Sequence, residues 1–232
     1  KRNPKILGIK MNVKIGFLTI GQSPRDDVVP EIVSFLDPGI EVVEKGALDG
    51  LSPAEIKKLC PEKGDFPLIT RLRDKSSAVL GKRKIIPLLQ KKIFELEKQG
   101  VNLSALLCTE DFPEIKWRKP FLLPSRILFS FMTSVLRQGK LGVLVPLEEQ
   151  KIGAGKKWEK TGLKLVVDAF NPYLGTKELE DVVNQIKKEK VDFIVLDCIG
   201  YNLEIKEKLR QATAKPVLLA RSLLARFISE LL

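Results

Sequence analysis

The chain has 232 residues, 44% hydrophobic and 30% charged, with a formal net charge of +11 and no histidine. Without histidine, neither Ser-His-Asp nor Cys-His nucleophilic machinery can be assembled, and the commonest metal ligand is missing. Acid–base chemistry is left to Cys, Asp, Glu, Lys and Tyr, and neither a metal nor an organic cofactor is expected. Three scattered cysteines make no disulfide framework and fit reduced thiols in a cytoplasmic protein.

The positive charge is dispersed. Lysines alternate with glutamates in KKIFELEKQ (91–99) and IKKEK (186–190), and two Tyr and two Trp offer little for stacking bases. A solvated lysine-rich surface is therefore expected, with no nucleic-acid partner. No run approaches the roughly 18 apolar residues needed to span a bilayer. The most apolar stretch, 121–136, is broken by Pro124 and Arg126 and reads as a buried helix. Residues 1–10 precede Met11 and read as an upstream extension outside the fold.

From there the elements alternate. VKIGFLTI (13–20) predicts a buried strand, and Asp26 and Asp27 open a helix carrying Val28, Val29, Ile32, Val33 and Leu36. A strand at 40–46 precedes a short helix at 51–60, with Ser52 as its cap and Pro53 at its first position. A strand or edge at 67–73, an amphipathic helix at 82–99 and a strand at 103–109 follow. The second half is read as a strand at 140–146 with a polar turn after it and a strand at 163–170. A helix at 176–189 and a strand at 192–198 come next, then a helix at 206–212, a strand at 216–220 and a closing helix at 222–232. Such alternation implies parallel α/β sheets. The letters also repeat. KQGVNLSALLCT (98–109) lies over KEKVDFIVLDCI (188–199) without a gap, and VKIGFL (13–18) resembles KLGVL (140–144). Two pseudo-symmetric α/β lobes are expected, 11–125 and 126–212, with 213–232 returning to the first and a cleft between them.

Cys108 and Cys198 then end equivalent strands, where ligands bind in open parallel sheets. Backbone N–H groups and a helix dipole there are expected to lower a thiol from its reference near 8.5. Two such thiols facing one ligand suit racemisation by two bases, in which one removes a proton and the other returns one to the opposite face. Buried filler is the other reading of a cysteine, and it stays open. Cys60, which follows a helix, is read as structural or exposed. The first turn, Thr19 to Arg25, can hold a carboxylate or phosphate through Ser23, backbone N–H groups and Arg25. Gln22 and Thr109 join the candidate carboxylate-binding residues, with Tyr201 nearby and Tyr173 a further residue for the cleft wall. The substrate class is a small carboxylate, and monomer and homodimer both stay open. A non-catalytic protein that binds a small carboxylate or phosphate metabolite is the alternative.

The succession TIGQSPRDDV (19–28), GALDGLSPAEI (46–56), TRLRD (70–74), LLCTEDFP (106–113), PSRIL (124–128), KLGVLVP (140–146), Gln150 with Lys157-Trp158, NPY (171–173), LDCIGY (196–201) and PVLLARSLLAR (216–226) resembles the AroM family in order and content. The resemblance implies the fold of the aspartate/glutamate racemase superfamily, whose members include cofactor-independent racemases, maleate isomerases and arylmalonate decarboxylases. It puts Cys108 and Cys198 where that superfamily carries its two cysteines. The residues after Cys198, Ile199-Gly200-Tyr201, depart from the Thr-His of amino-acid racemases, and the first turn lacks their Asp-Ser-Gly. Both departures speak against glutamate or aspartate as substrate.

Overall fold

The computed structural model describes residues 13–174 and 179–232; the expected extension at 1–10 and the start of the helix expected at 176 lie outside the described residues. The chain begins with β1 (Lys14–Thr19), α1 (Val29–Val33), β2 (Glu41–Gly46), α2 (Pro53–Lys58), β3 (Pro67–Arg71), β4 (Ser77–Gly81), α3 (Lys82–Lys98), β5 (Leu103–Leu107), β6 (Phe121–Leu122) and α4 (Pro124–Val135). It continues through β7 (Lys140–Val145), α5 (Lys151–Glu159), β8 (Lys164–Ala169), α6 (Leu179–Glu189), β9 (Phe193–Leu196), α7 (Leu203–Thr213), β10 (Val217–Leu219) and α8 (Ala220–Leu231).

Two four-stranded parallel sheets form the two lobes, in the orders β2-β1-β5-β6 and β8-β7-β9-β10. The orders correspond strand for strand, so the sequence repeat is a structural one, with β5 equivalent to β9 and β1 to β7. Ile15 to Thr19 and Leu141 to Val145 are buried without a break, as parallel strands covered on both faces require. One apolar core joins the sheets, running from Ile15 and Phe17 through Leu128 and Met132 of α4 and Leu224 and Ile228 of α8 to Val143 and Val195. In the closing segment, β10 belongs to the second sheet, whereas α8 packs on α1 and α4.

Local chemistry explains three of the helices. Ser52 and Glu55 form a reciprocal capping box on α2 with Pro53 at its start. Ile85, Leu89, Ile93 and Leu96 make the buried stripe of α3. Asn202 caps α7 through the Ile205 N–H.

Two of the departures from the sequence expectation bear on the site. The strand at 67–71 has an antiparallel partner, β4, and the two form a hairpin apart from both sheets. The turn expected after β7 contains α5, whose apolar side is no more than Ala154 and Trp158. Two glycines inside α5 differ in surroundings, and this gives a test of the packing. A Cβ at Gly155 would meet nothing within 4 Å, whereas one at Gly153 would run into the Phe66 ring. Gly155→Ala is expected to stabilise by about 0.5–1 kcal/mol through helix propensity. Gly153→Ala should lose that gain and more. Thermal unfolding checks the pair, and midpoints that move in the same direction contradict the packing described.

Candidate functional site

The carboxyl ends of β1, β5, β7 and β9 converge, and a cavity of about 40 Å³ lies among them. Ile20, Arg25, Cys108, Thr109, Glu110, Val145, Asp197 and Cys198 reach it from the strand ends. The hairpin, α5 and Tyr173 complete the wall. This volume holds a few waters.

Cys108 and Cys198 are both 8% exposed and both line this cavity, although each is rooted in its own lobe's outer core. The strand-end N–H groups meet the sulfurs as expected. Gly200 N–H donates to Cys198 Sγ at 3.3 Å, and a backbone bond from Glu110 favours the Cys108 thiolate. The expected fall in pKa is nevertheless wrong. Burial outweighs those bonds and pushes Cys108 up to about 12 and Cys198 up to about 11, from an ordinary value of 9.0.

These shifts carry a sign. Above pH 9 an unfolded chain releases thiol protons that the folded chain still holds. Stability from this source is therefore complete below pH 9 and is lost as pH rises toward about 11 and about 12. Burial raises Tyr173 and Tyr201 in the same sense. The urea midpoint is expected to fall steadily from pH 9 to pH 11, and a flat profile would contradict the burial of the thiols.

Arg25, 2% exposed, reaches the cavity wall already oriented. Its guanidinium forks onto Asp27 at 2.7 and 2.8 Å, donates to Thr19 Oγ1 at 2.9 Å and points Nη2 at the Tyr173 hydroxyl, 3.4 Å away. Thr109 lines the cavity and donates its hydroxyl across the lobes to the Asp197 carbonyl at 3.0 Å. The other sequence candidates stand elsewhere. Ser23 gives its N–H and hydroxyl to Asp49, closing the turn. Gln22 accepts from the Arg73 N–H and faces a separate groove between α2 and the hairpin. Tyr201 is fully buried in the second core, stacked on Phe170 and donating to its carbonyl at 2.6 Å. Tyr173 takes the place beside Cys198. A Cβ at residue 200 would come within 2.6 Å of its hydroxyl, so Gly200 makes the room.

Sequence reasoning missed a polar clasp. Asp197, next to Cys198, holds its carboxylate 2.9 Å from Lys157 Nζ at both oxygens and accepts from Trp158 Nε1 at 2.7 Å. The same ammonium donates to the carbonyl of Thr109, the residue after Cys108, at 2.9 Å. Lys157 thus ties together the two strand ends that carry the thiols. The one signal in the sequence was the Lys157-Trp158 pair among the family motifs. A second tie comes from α8, where Arg221 donates to the Ile199 and Gly200 carbonyls of one lobe and to Asp27 O and Glu31 Oε2 of the other.

Among the described residues no group of three or more His, Cys, Asp or Glu is gathered to hold a metal ion, and no helix is long and apolar enough to cross a membrane.

Three solved structures share this architecture. Allantoin racemase from Klebsiella pneumoniae superposes with a TM-score of 0.63 at 15% identity, over 94% of this chain and 87% of that one. An unliganded arylmalonate decarboxylase gives 0.60 at 14%, over 95% and 92%. Glutamate racemase from Aquifex pyrophilus gives 0.58 at 17%, over 95% and 84%. At these identities the likeness is one of fold. A sequence search of curated proteins finds no match. The family model described as AroM protein matches residues 15–232, and the chain therefore belongs to the AroM family.

Proposed function

We propose that this protein is a cofactor-independent racemase, epimerase or isomerase of a small carboxylate, with Cys108 and Cys198 as its acid and base. The observation that carries this reading is that both thiols line one cavity, at the ends of equivalent strands, with pKa values raised by the same cause, burial, to about 12 and about 11. Two-base chemistry needs partners of matched acidity, because each must serve as acid in one direction and base in the other. In the active form one cysteine is thiolate. It takes the proton from the α-carbon as that C–H bond breaks, and the other thiol gives its proton to the opposite face. The Arg25 guanidinium, steadied by Asp27, and the Tyr173 hydroxyl hold the substrate carboxylate and the charge that develops on it. The fold likeness to two racemases and a decarboxylase agrees with this chemistry.

The test is solvent deuterium uptake at the α-carbon, followed by NMR with purified protein and no added cofactor, across chiral 2-hydroxy and 2-amino acids. Uptake with at least one acid is expected. The raised thiol pKa values, which keep both sulfurs protonated at neutral pH, also favour a second reading, a binding protein without turnover. Thermal stabilisation by a carboxylate with no deuterium uptake from any of them would establish that one instead.

A further inference from the structure

The charged groups of the cavity wall and the hairpin's share of that wall come from different parts of the chain. Every charged side chain on the wall (Arg25, Glu110, Lys157 and Asp197) comes from a strand end or from α5. The β3–β4 hairpin contributes Phe66, Leu68 and Ile69, all apolar. Two of the hairpin's carbonyls near the cavity are already occupied. The Phe66 carbonyl accepts from Lys82 N–H at 2.9 Å, and the Pro67 carbonyl accepts from Gln150 Nε2 at 2.8 Å.

The hairpin is fastened across the cleft to the second lobe. Gln150 holds Pro67, Phe66 lies over the bare Cα of Gly153 on α5, and Arg71 stacks on the Tyr173 ring at 5.3 Å. A segment outside both sheets thus forms an apolar roof, fixed in place over the two thiols.

We infer that this hairpin is the specificity element of the site, and that the substrate is a monocarboxylate whose remaining substituent is compact and apolar. The inference rests on the reaction proposed above. With the carboxylate at Arg25 and Tyr173 and the α-carbon at the thiols, a further substituent is left facing Phe66, Leu68 and Ile69. An apolar group there loses only water. A second carboxylate would lose its water against three side chains that carry no polar atom, and an unpaired buried charge is strongly disfavoured. Phe66 limits size, because its ring is braced by α5 and the cavity is small.

Binding and turnover are read separately. Ligand-induced thermal stabilisation is titrated on the full chain with lactate, 2-hydroxybutyrate and alanine, with malate and aspartate as dicarboxylates, and with the bulkier phenyllactate. At least one of the small monocarboxylates is expected to bind at least about tenfold more tightly than either dicarboxylate. Phe66→Ala, or Phe66→Leu should the first variant fold poorly, is expected to improve phenyllactate relative to lactate by about tenfold or more. Dicarboxylates binding as well as the small monocarboxylates, no binding by any of these acids, or an order left unchanged by both variants would overturn the inference. Selective binding without deuterium uptake would support the hairpin's role while refuting the proposed reaction.

Discussion

Replacing Arg221 by leucine is expected to cost about 3–5 kcal/mol of stability, the range for leaving the partners of a buried charge unpaired. The side chain is 2% exposed and uses both edges of its guanidinium. Nε and Nη2 reach Ile199 O at 3.1 and 2.9 Å, Nη2 also reaches Gly200 O at 3.0 Å, and Nη1 reaches Asp27 O at 2.9 Å and Glu31 Oε2 at 3.2 Å. Leucine fills part of the volume and returns none of these donors, so three carbonyls and a carboxylate lose their partner where water is scarce. Lysine supplies a charge without the planar fork and should recover only part of the loss. Urea unfolding at neutral pH reads the effect as a lower midpoint at unchanged slope. A loss below about 1 kcal/mol would mean that the two lobes do not depend on this residue.

The second large effect is expected at Asp197. Its side chain is 4% exposed and holds the Lys157 ammonium, which is itself 21% exposed, together with the Trp158 N–H. Asp197→Ala strands both donors and is expected to destabilise by about 3 kcal/mol. Lys157→Met added to it removes the stranded charge, so the double variant should be more stable than Asp197→Ala alone. A double variant whose loss equals the sum of the two singles would contradict the clasp. Asp197→Asn keeps the shape and removes the negative charge that helps to raise Cys198, so the pH midpoint of Cys198 alkylation should fall.

What could be read in advance was what local pattern decides. The strands carrying Cys108 and Cys198 are uninterrupted apolar runs ending at polar residues, and their correspondence is written in the letters. The rest depends on contacts between distant segments. Helix α5 was hidden because Gly153, Gly155 and its lysines leave no apolar stripe, and Lys157 was hidden with it. The strand β4 was hidden because Ser76-Ser77-Ala78 reads as a turn until β3 pairs with it. The donors around the thiols were visible in the sequence, but the covering by hairpin and opposite lobe that reverses their acidity was not. Tyr201 looked close to Cys198 because it lies three residues on. Backbone direction sends it into the core, and Tyr173, from the end of β8, takes the place Gly200 leaves free.

The central claim is that two thiols share one cavity and divide a proton transfer between them. It is tested most directly by following interconversion of the two enantiomers of whichever acid shows α-deuterium uptake, with Cys108→Ser, Cys198→Ser and Cys60→Ser compared with the native protein. Cys108 and Cys198 are buried on the cavity wall and Cys60 is exposed away from it. Each buried-cysteine variant is expected to lose about a hundredfold or more of the interconversion rate, the scale of a general acid or base, while Cys60→Ser keeps the native rate. Native rates from either the Cys108 or the Cys198 variant would contradict the account.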